Sequence, residues 1–424
     1  MRVSTSTIFD TNVNAMNQQQ SELLHTQLQV SSGKRVMTPA DDPAAAAQIV
    51  EVSQTSAMNT QYSTNLNAAN ASLSLSEGVL QSVTTLIQNI QTTAVNAGDA
   101  SLNNSDRQSL ATTLQGQLEQ LIGLANSTDA SGNYLFSGSE GSVKPFVTTS
   151  SGVQYQGDSG QRLIQVSSNQ QMMTNATGSA LFMLPKNGNG DFTTSAASTN
   201  SGSGIISQGN LTTPPPTVLQ QGNTYHLTFT VTGGVTTYSI TGTDAWGNAL
   251  PTTTLTAPQV NQSQALPTNQ SYTSGQTINF NGLEFSIQGT PASGDSFTIA
   301  PSTHVSLFQT VQNLINTLNT SIPPGNSAAS ATYTQQLQQS MGNLNQALNS
   351  VLTVRASIGS NLSQITSLQS TNSTLNLQYQ NTLAQLQDTN YTSAISQLTQ
   401  QQVGLQAAMQ SFKIVSGLSL FNYM

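Results

Sequence analysis

A short string around Ser159 is the first candidate for chemistry. Residues 157–160 read Gly-Asp-Ser-Gly, the sequence that surrounds the nucleophilic serine of chymotrypsin-like proteases. A serine nucleophile needs a histidine base that is itself held by a carboxylate. The histidines at positions 25, 226 and 304 are far apart in sequence, and none lies in a supporting motif. We therefore interpret the string as a glycine-rich hairpin turn.

No other group of side chains predicts a reaction or a metal site. The chain has no cysteine, and its three separated histidines show no metal-ligand spacing. Asp158 stands alone, which is too few carboxylates for a calcium loop. Asp41 and Asp42 are adjacent acids, but before Pro43 such residues ordinarily cap a helix. We expect no catalytic residue, no cofactor and no metal.

Composition disfavours nucleic acid and membranes as partners. The chain has 424 residues, nine of them basic and seventeen acidic, for a net charge of −8. Phosphate binding draws on clustered Lys and Arg, and these nine are scattered. No run approaches the roughly 20 apolar residues of a membrane span, and the N-terminus lacks the apolar core of a signal peptide. If the protein leaves the cell, we expect a route that does not cleave a leader.

Both ends of the chain carry a thin apolar stripe at helical spacing on an amide- and hydroxyl-rich background. An amphipathic segment this thin must bury its face against another helix. We therefore predict that the termini are surfaces for subunit packing and chaperone binding. The predicted residues are Phe9, Val13, Met16, Leu23 and Val30 near the start, Ile395, Leu398, Leu405, Met409 and Phe412 near the end, and Leu418, Leu420 and Phe421 as a terminal anchor.

Longer helices are predicted between the two terminal stripes in the sequence. Asp42 and Pro43 predict a helix start, because Asp accepts hydrogen bonds from free first-turn amides and Pro fits the first helical position. One face then keeps its register through Leu66, Ala69, Leu73, Leu80, Val83, Ile87, Ile90 and Ala94, and a second helix is predicted after Asn104. Helical spacing returns at Phe308 and continues, after Pro323-Pro324-Gly325, to Tyr379. Arg355 interrupts this last track, and it either pairs with an acid across the helix interface or stays solvated.

The middle of the chain changes to a period of two. Leu227, Phe229 and Val231 alternate with threonines before a Gly-Gly turn, and Asn281-Gly282 separates two further alternating runs. Asn-Gly suits the left-handed backbone of a tight hairpin. The proline-rich stretches 214–216 and 251–267 are predicted connections.

The predicted fold is mainly α with an inserted antiparallel β domain. The N- and C-terminal helices pair into a long helical rod or coiled coil, because each buried Leu or Ile contributes about 1.5 to 3 kcal/mol. The expected domains are an N-terminal assembly helix (1–33), the first half of the rod (34–138), the β-rich domain (139–303), the second half of the rod (304–384) and a C-terminal assembly helix (385–424). Residues 187–270 form either part of the β domain or a separate subdomain.

Several segments in order resemble bacterial flagellins. Residues 31–50, SSGKRVMTPADDPAAAAQIV, are similar to the segment that follows the first helix in that superfamily. The opening MRVSTSTIFDTNV, YLFSGS at 134–139, YQGDSG at 155–160, the run 274–299, VRASIGSNL around Arg355 and the ending SGLSLFNYM are similar to its hook-filament junction members. The resemblance covers both helical halves and both flanks of the β region, but not residues 187–270.

The resemblance implies a structural adaptor of the bacterial flagellum without enzymatic activity. Such proteins are exported unfolded by the flagellar type III pathway, with a dedicated chaperone on the C-terminal helix, and they act outside the cell. The implied partners are hook-associated protein 1, flagellin and copies of the chain itself. Two alternatives stay open: flagellin itself, the filament subunit, and a coiled-coil secreted adhesin without a flagellar role.

Overall fold

A computed structural model of the chain describes residues 5–212, 222–250 and 266–417. Within it the chain divides into two compact units. Unit 1 contains residues 1–67, 165–170 and 366–424, and unit 2 contains residues 68–164 and 171–365.

Helical N- and C-terminal regions flank a middle domain of antiparallel strands, which confirms the predicted fold class. The helices are α1 (Thr5–Ser32), α2 (Pro43–Ala97), α3 (Asn104–Ala125), α4 (Leu307–Asn319), α5 (Ser327–Gln387) and α6 (Tyr391–Gly417). None of these helices, over the residues described, is long and apolar enough to cross a membrane.

Helices α2 and α5 lie antiparallel in each unit. In unit 2 the Tyr333 hydroxyl donates to the Ala97 carbonyl at 2.6 Å. In unit 1 the Asn59 side-chain amide donates to the Asn372 carbonyl at 2.9 Å. The apolar track predicted from Leu66 to Ala94 is almost fully buried, and so is Ser76, which interrupts it. The Ser76 hydroxyl donates to the Ser72 carbonyl at 2.9 Å, so burying it leaves no donor unpaired.

Arg355 pairs with an acid across the helix interface, the first of the two possibilities left open by the sequence. Its Nε and Nη2 atoms donate to Glu77 Oε1 at 2.9 and 2.7 Å. Its Nη1 donates to the Thr84 hydroxyl at 3.3 Å. Glu77 and Thr84 lie seven residues apart on α2, so one guanidinium on α5 spans two turns of the opposite helix.

Helices α3 and α4 pack together in unit 2. Helix α3 begins at Asn104, one residue earlier than predicted, because Asn103 is its N-cap. The Asn103 side chain accepts from the backbone amides of Ser105 and Asp106, and the Asp106 carboxylate accepts from the Asn103 amide. The predicted apolar residues of α4 are all buried: Phe308, Val311, Leu314 and Leu318.

The described strands in the middle of the chain form four sheets. The strands are β1 (Phe146–Thr149), β2 (Gly152–Tyr155), β3 (Leu163–Ser167), β4 (Gln170–Met173), β5 (Phe192–Ala196), β6 (Ile205–Ile206), β7 (Asn210–Leu211), β8 (Thr224–Thr232), β9 (Val235–Thr243), β10 (Gln270–Ser271), β11 (Thr277–Phe280), β12 (Leu283–Gln288) and β13 (Ser296–Pro301). One sheet has the order β10-β9-β8-β13-β5, and another has the order β11-β12-β6 with β7 also on β12. Two further sheets are the pairs β1-β2 and β3-β4.

The two larger sheets share one hydrophobic core. It includes Leu227 and Phe229 of β8, Phe285 of β12 and Phe297 of β13. In both sheets, strands from residues 187–270 pair with strands from residues 277–301: β5 and β8 with β13, and β6 and β7 with β12. The two stretches therefore bury their apolar side chains together. Both predicted hairpins are confirmed, β8-β9 and β11-β12. Most of the predicted proline-rich connections, 214–216 and 251–267, lie outside the described residues.

The Gly-Asp-Ser-Gly string is not a hairpin turn, which corrects the prediction. It lies between β2 and β3, and these strands belong to different sheets. The Asp158 carboxylate accepts from the Ser139 amide at 2.6 Å, from the Gly160 amide at 3.0 Å and from the Ser139 hydroxyl. These bonds lower the pKa of Asp158, with the Ser139 hydroxyl as the largest cause. The loop therefore holds the 134–139 segment in place. These bonds link two of the sequence motifs, YLFSGS at 134–139 and YQGDSG at 155–160.

An aromatic cluster lies beside this loop. The centroid of the Phe146 ring in β1 lies 5.2 Å from that of Tyr155, 5.3 Å from that of Phe182 and 5.1 Å from that of Phe308. Phe182 belongs to a short π-helical segment, Ser179–Met183. Aromatic pairs at these spacings each add about 0.5 to 1.5 kcal/mol beyond area burial. The cluster thus packs the β1-β2 hairpin onto the start of α4.

Gly138→Ala should destabilise unit 2 much more than Gly132→Ala. Both glycines have left-handed backbones, with φ of 80° and 82°, which cost a side chain about 1 to 2 kcal/mol. A Cβ at Gly132 meets open space, whereas one at Gly138 overlaps the Asp158 carboxylate. We expect a further loss of at least about 2 kcal/mol for Gly138→Ala, measured by urea denaturation. Equal losses in the free energy of unfolding for the two variants would show that the Asp158 loop moves aside at little cost.

The Arg355–Glu77 pair should show measurable coupling. The two side chains are 21% and 30% exposed, so solvent screens their attraction only in part. We expect the variants Arg355→Met and Glu77→Gln, with the double variant, to give a coupling of about 1 kcal/mol in denaturation. Strictly additive losses would mean that the ion pair does not stabilise the α2–α5 contact.

Candidate functional site

The terminal helices α1 and α6 pack against each other in unit 1. The Phe9 ring near the start of α1 lies 5.0 Å from the Phe412 ring near the end of α6, centroid to centroid. At the other end of the pair, the Thr389 amide donates to the Gly33 carbonyl at 2.9 Å. The two helices are therefore antiparallel, and each is the other's partner within one chain.

This pairing covers most of the predicted stripe residues only in part. Ile395, Phe9 and Met409 stay about half exposed, at 50%, 50% and 45%. The partly buried stripe residues are Val13, Met16, Leu23 and Val30 of α1 and Leu398, Leu405 and Phe412 of α6. Leu418, Leu420 and Phe421 lie outside the described residues.

Each terminal helix also has an outward apolar face that the stripes did not include. On α1 it consists of Leu24 and Leu28, which are 52% and 56% exposed. On α6 it consists of Val403 and Ile414, which are 61% and 66% exposed. At about 100° per residue, Leu28 points about 140° away from Leu23, and Val403 about 160° away from Leu405. These residues could have been predicted from the sequence, because they form a second apolar track on each helix.

The segment from Gly33 to Asp42 ties the helix ends of unit 1 together. The Arg35 amide donates to the Gln387 carbonyl at 2.7 Å, and Arg35 Nη2 donates to the Leu386 carbonyl at 3.0 Å. Arg35 Nη1 also lies 3.1 Å from Asp42 Oδ2. Asp42 Oδ1 accepts from the Ala45 amide at 3.0 Å, and Pro43 is the first residue of α2. The α1–α2 and α5–α6 connections are thus bonded to each other.

Asp41 acts in the same segment as an acceptor of hydrogen bonds. Its Oδ2 accepts from the amides of Met37 and Thr38 at 2.9 and 2.8 Å, and its Oδ1 lies 2.9 Å from His25 Nε2. The Thr38 amide is the largest of the causes that lower the pKa of Asp41 to about 2. A general acid needs a raised pKa. The Asp41–Asp42 pair is therefore suited to fixing a turn and a helix start, not to acid catalysis.

The remaining candidates for chemistry are bonded elsewhere. His226 Nδ1 lies 3.1 Å from the Thr298 hydroxyl, and His304 Nδ1 lies 2.8 Å from the Leu184 carbonyl. With His25 beside Asp41, each histidine has a partner other than Ser159. Among the residues that the structure describes, no group of three His, Cys, Asp or Glu side chains could hold a metal ion.

Comparison with known proteins finds flagellar proteins that are similar to this chain. The family model for the bacterial flagellin N-terminal helical region matches residues 3–141. Flagellar hook-associated protein 3 of Salmonella typhimurium is 29% identical over 421 residues, 99% of each chain. The crystal structure of flagellar hook-associated protein 3 from Legionella pneumophila matches with a TM-score of 0.70 and 29% identity, over 80% of this chain and 98% of that one.

A further crystal structure, FlgL of Xanthomonas campestris, matches with a TM-score of 0.67 and 27% identity, over 78% of this chain and 99% of that one. The similarity to the Salmonella protein spans nearly the whole chain, and so includes both helical regions and the β domain between them. The chain is therefore similar in sequence and in fold to flagellar hook-associated protein 3, and its N-terminal region matches the flagellin model.

Proposed function

We propose that the α1–α6 pair is the surface on which copies of this chain assemble into a junction between the flagellar hook and the filament. The observation that supports this most directly is the outward apolar face on each of the two helices. Fully burying a Leu, Val or Ile side chain contributes about 1.5 to 3 kcal/mol. The four outward residues are more than half exposed in the single chain, so they retain most of that free energy for association.

The arrangement of these faces favours a polymer over a dimer. The exposed side chains Leu24 and Leu28 belong to α1, and the exposed Val403 and Ile414 belong to α6. A two-fold dimer uses one patch on both partners, which would leave the other face in water. Neighbours on both sides cover both faces. Contact between the α1 face of one copy and the α6 face of the next is head-to-tail, and it generates rings or helical arrays.

Low charge on these helices also suits close packing of identical copies. Helix α6 carries one charged residue, Lys413, and α1 carries Asp10 and Glu22 besides His25. Repulsion between like charges on neighbouring copies is therefore small. The remaining surface is mainly Gln, Asn, Ser and Thr, whose side chains both donate and accept hydrogen bonds at a wet interface.

The proposed partners rest on the similarity to these relatives. The Salmonella and Legionella proteins are named as hook-associated protein 3, which supports the hook-filament junction over the filament itself and over a secreted adhesin without a flagellar role. In this proposal the assembled copies contact hook-associated protein 1 on the cell side and flagellin on the distal side. The role is structural and involves no catalysis.

Export in an unfolded state fits the marginal stability of the terminal helices. Gly404 lies inside α6 and costs about 1 kcal/mol relative to alanine. The contacts that could offset this cost are partial, because most stripe residues are only partly buried. We propose that the flagellar type III pathway exports the chain to the cell exterior. A dedicated chaperone would cover the exposed face of α6 beforehand.

Val403→Asp and Leu405→Asp should both block incorporation into flagella, but for different reasons. Val403→Asp places a charge on the outward face, where a neighbour would have to bury it at a cost of about 3 kcal/mol, roughly a hundredfold in association. Leu405→Asp disturbs the α1–α6 contact within the chain. Limited proteolysis of the purified proteins should therefore show intact terminal helices for Val403→Asp and cleaved ones for Leu405→Asp.

The matched control is Val403→Thr, which keeps the branched shape without a charge. We expect it to restore most of the incorporation, scored by immunogold labelling of flagella and by swimming motility. Normal incorporation of Val403→Asp would remove the outward face of α6 from the assembly surface.

A strain that lacks this protein should make hooks without filaments and release unassembled flagellin. The reason is that the filament would lose the adaptor on which its first subunits pack. Electron microscopy of the cells and immunoblotting of the medium measure the two effects, and expression of the intact chain should reverse both. Full-length filaments in the deletion strain would contradict the junction role.

A further inference from the structure

The single tryptophan of the chain is held in solvent at the edge of the β domain. Trp246 follows β9 and is 82% exposed, the highest value for a large hydrophobic side chain among the described residues. Burying an aromatic side chain of this size is strongly favourable. A tryptophan left this exposed within the described structure is therefore a candidate contact point for something outside the chain.

The loop that carries Trp246 is ordered by its own hydrogen bonds. The Asp244 carboxylate accepts from the Trp246 amide at 2.9 Å, from the Asn248 amide at 2.8 Å and from the Asn248 side chain at 3.0 Å. The Asp244 amide donates to the Asn248 carbonyl at 2.9 Å. The Leu250 amide donates to the Gly242 carbonyl at 2.8 Å and closes the base of the loop. A preset backbone lowers the entropy that binding would otherwise cost.

Charge around the loop disfavours anionic ligands. Residues 222–250 contain no Lys or Arg, and Asp244 is their one acidic residue. Nucleic acids and acidic lipid surfaces require basic side chains, so neither suits this site. A cation is also poorly matched, because the Asp244 carboxylate is already used by three donors in the loop and the described segment offers no second acid.

Polarity around the loop disfavours an apolar protein partner. Energetic centres of protein interfaces are aromatic residues within a dry, well-packed patch. Trp246 instead stands between Ala245 and Gly247, and the adjoining strand ends present Thr224 and Thr243, which are paired in the β8–β9 register. An exposed indole on a loop with a threonine pair at its base suits a ligand with one apolar face and many hydroxyls.

We propose that Trp246, together with the loop from Thr243 to Asn248, binds a neutral glycan, with a sugar ring stacked on the indole. The C–H face of the sugar covers the indole, and the sugar hydroxyls reach the threonine hydroxyls and the Asn248 side-chain oxygen. A single platform of this kind gives weak binding, with a Kd of about 1 mM. The site is independent of the terminal helices and of the assembly proposed above.

Fluorescence of the purified full-length chain tests this proposal directly, because Trp246 is the sole source of the indole signal. The probes are cellohexaose, maltohexaose and chitohexaose, titrated to about 50 mM, well above the expected Kd. We expect a saturable blue shift with at least one of them. No saturable change with any of the three overturns the proposal.

Two variants and one control separate stacking from a general effect. Calorimetry should show binding at least tenfold weaker for Trp246→Ala and mostly retained for Trp246→Tyr, which keeps an aromatic face. Val235→Ala, at the exposed β8–β9 turn, should bind normally, and all three proteins should unfold at the same temperature. Binding that survives Trp246→Ala contradicts the proposal. A response to tetramethylammonium chloride with none to the sugars overturns it in favour of a cation site.

Discussion

The structure depends on one constraint, which is that none of the described helices carries a core of its own. Each has an apolar track among amides and hydroxyls, and α1 and α6 have a second one, so each helix must find another helix to bury at least one track. Chain order places the partners at opposite ends of the sequence. Helix α1 packs on α6 in unit 1, and α2 packs on α5 in both units. The N- and C-terminal halves therefore stabilise each other, and the β domain is an insertion between them.

Polar contacts set the register of these pairs more than they stabilise them. Arg355 reaches Glu77 and Thr84, and Tyr333 reaches the Ala97 carbonyl, each fixing one position along the α2–α5 contact. In the 33–42 segment, Arg35 and Asp41 satisfy backbone groups that the breaks between helices would otherwise leave unpaired. Because the chain has few charged residues, most of these bonds join side chains to backbone atoms. Such bonds are specific for position.

The terminal pair leaves apolar side chains in water on both of its helices, at Leu24 and Leu28 of α1 and at Val403 and Ile414 of α6. In an isolated soluble protein this costs free energy without return. In an array of copies the same residues become contacts, so the feature that weakens the single chain is the one that would stabilise the assembly. The similarity to flagellar hook-associated protein 3 agrees with this interpretation.

Much of the fold could be predicted from the sequence because periodicity acts locally. The track from Leu66 to Ala94, the helix start at Pro43 and the Asn281-Gly282 hairpin, with φ of 46° and 74°, follow from residue spacing and turn chemistry. The glycines around Asp158 looked like a hairpin turn, because the sequence alone does not show that β2 and β3 pair with other strands.

The sequence by itself determined which residues need burial, which turns the backbone can make and that the three histidines had no supporting motif. Only the tertiary structure decided what each apolar face meets. The stripe through Leu23 and Leu405 is partly used within the chain, and the faces at Leu24, Leu28, Val403 and Ile414 remain outside. The reason is that helical spacing fixes the direction of a side chain around its own axis, whereas the partner on that side depends on segments hundreds of residues away.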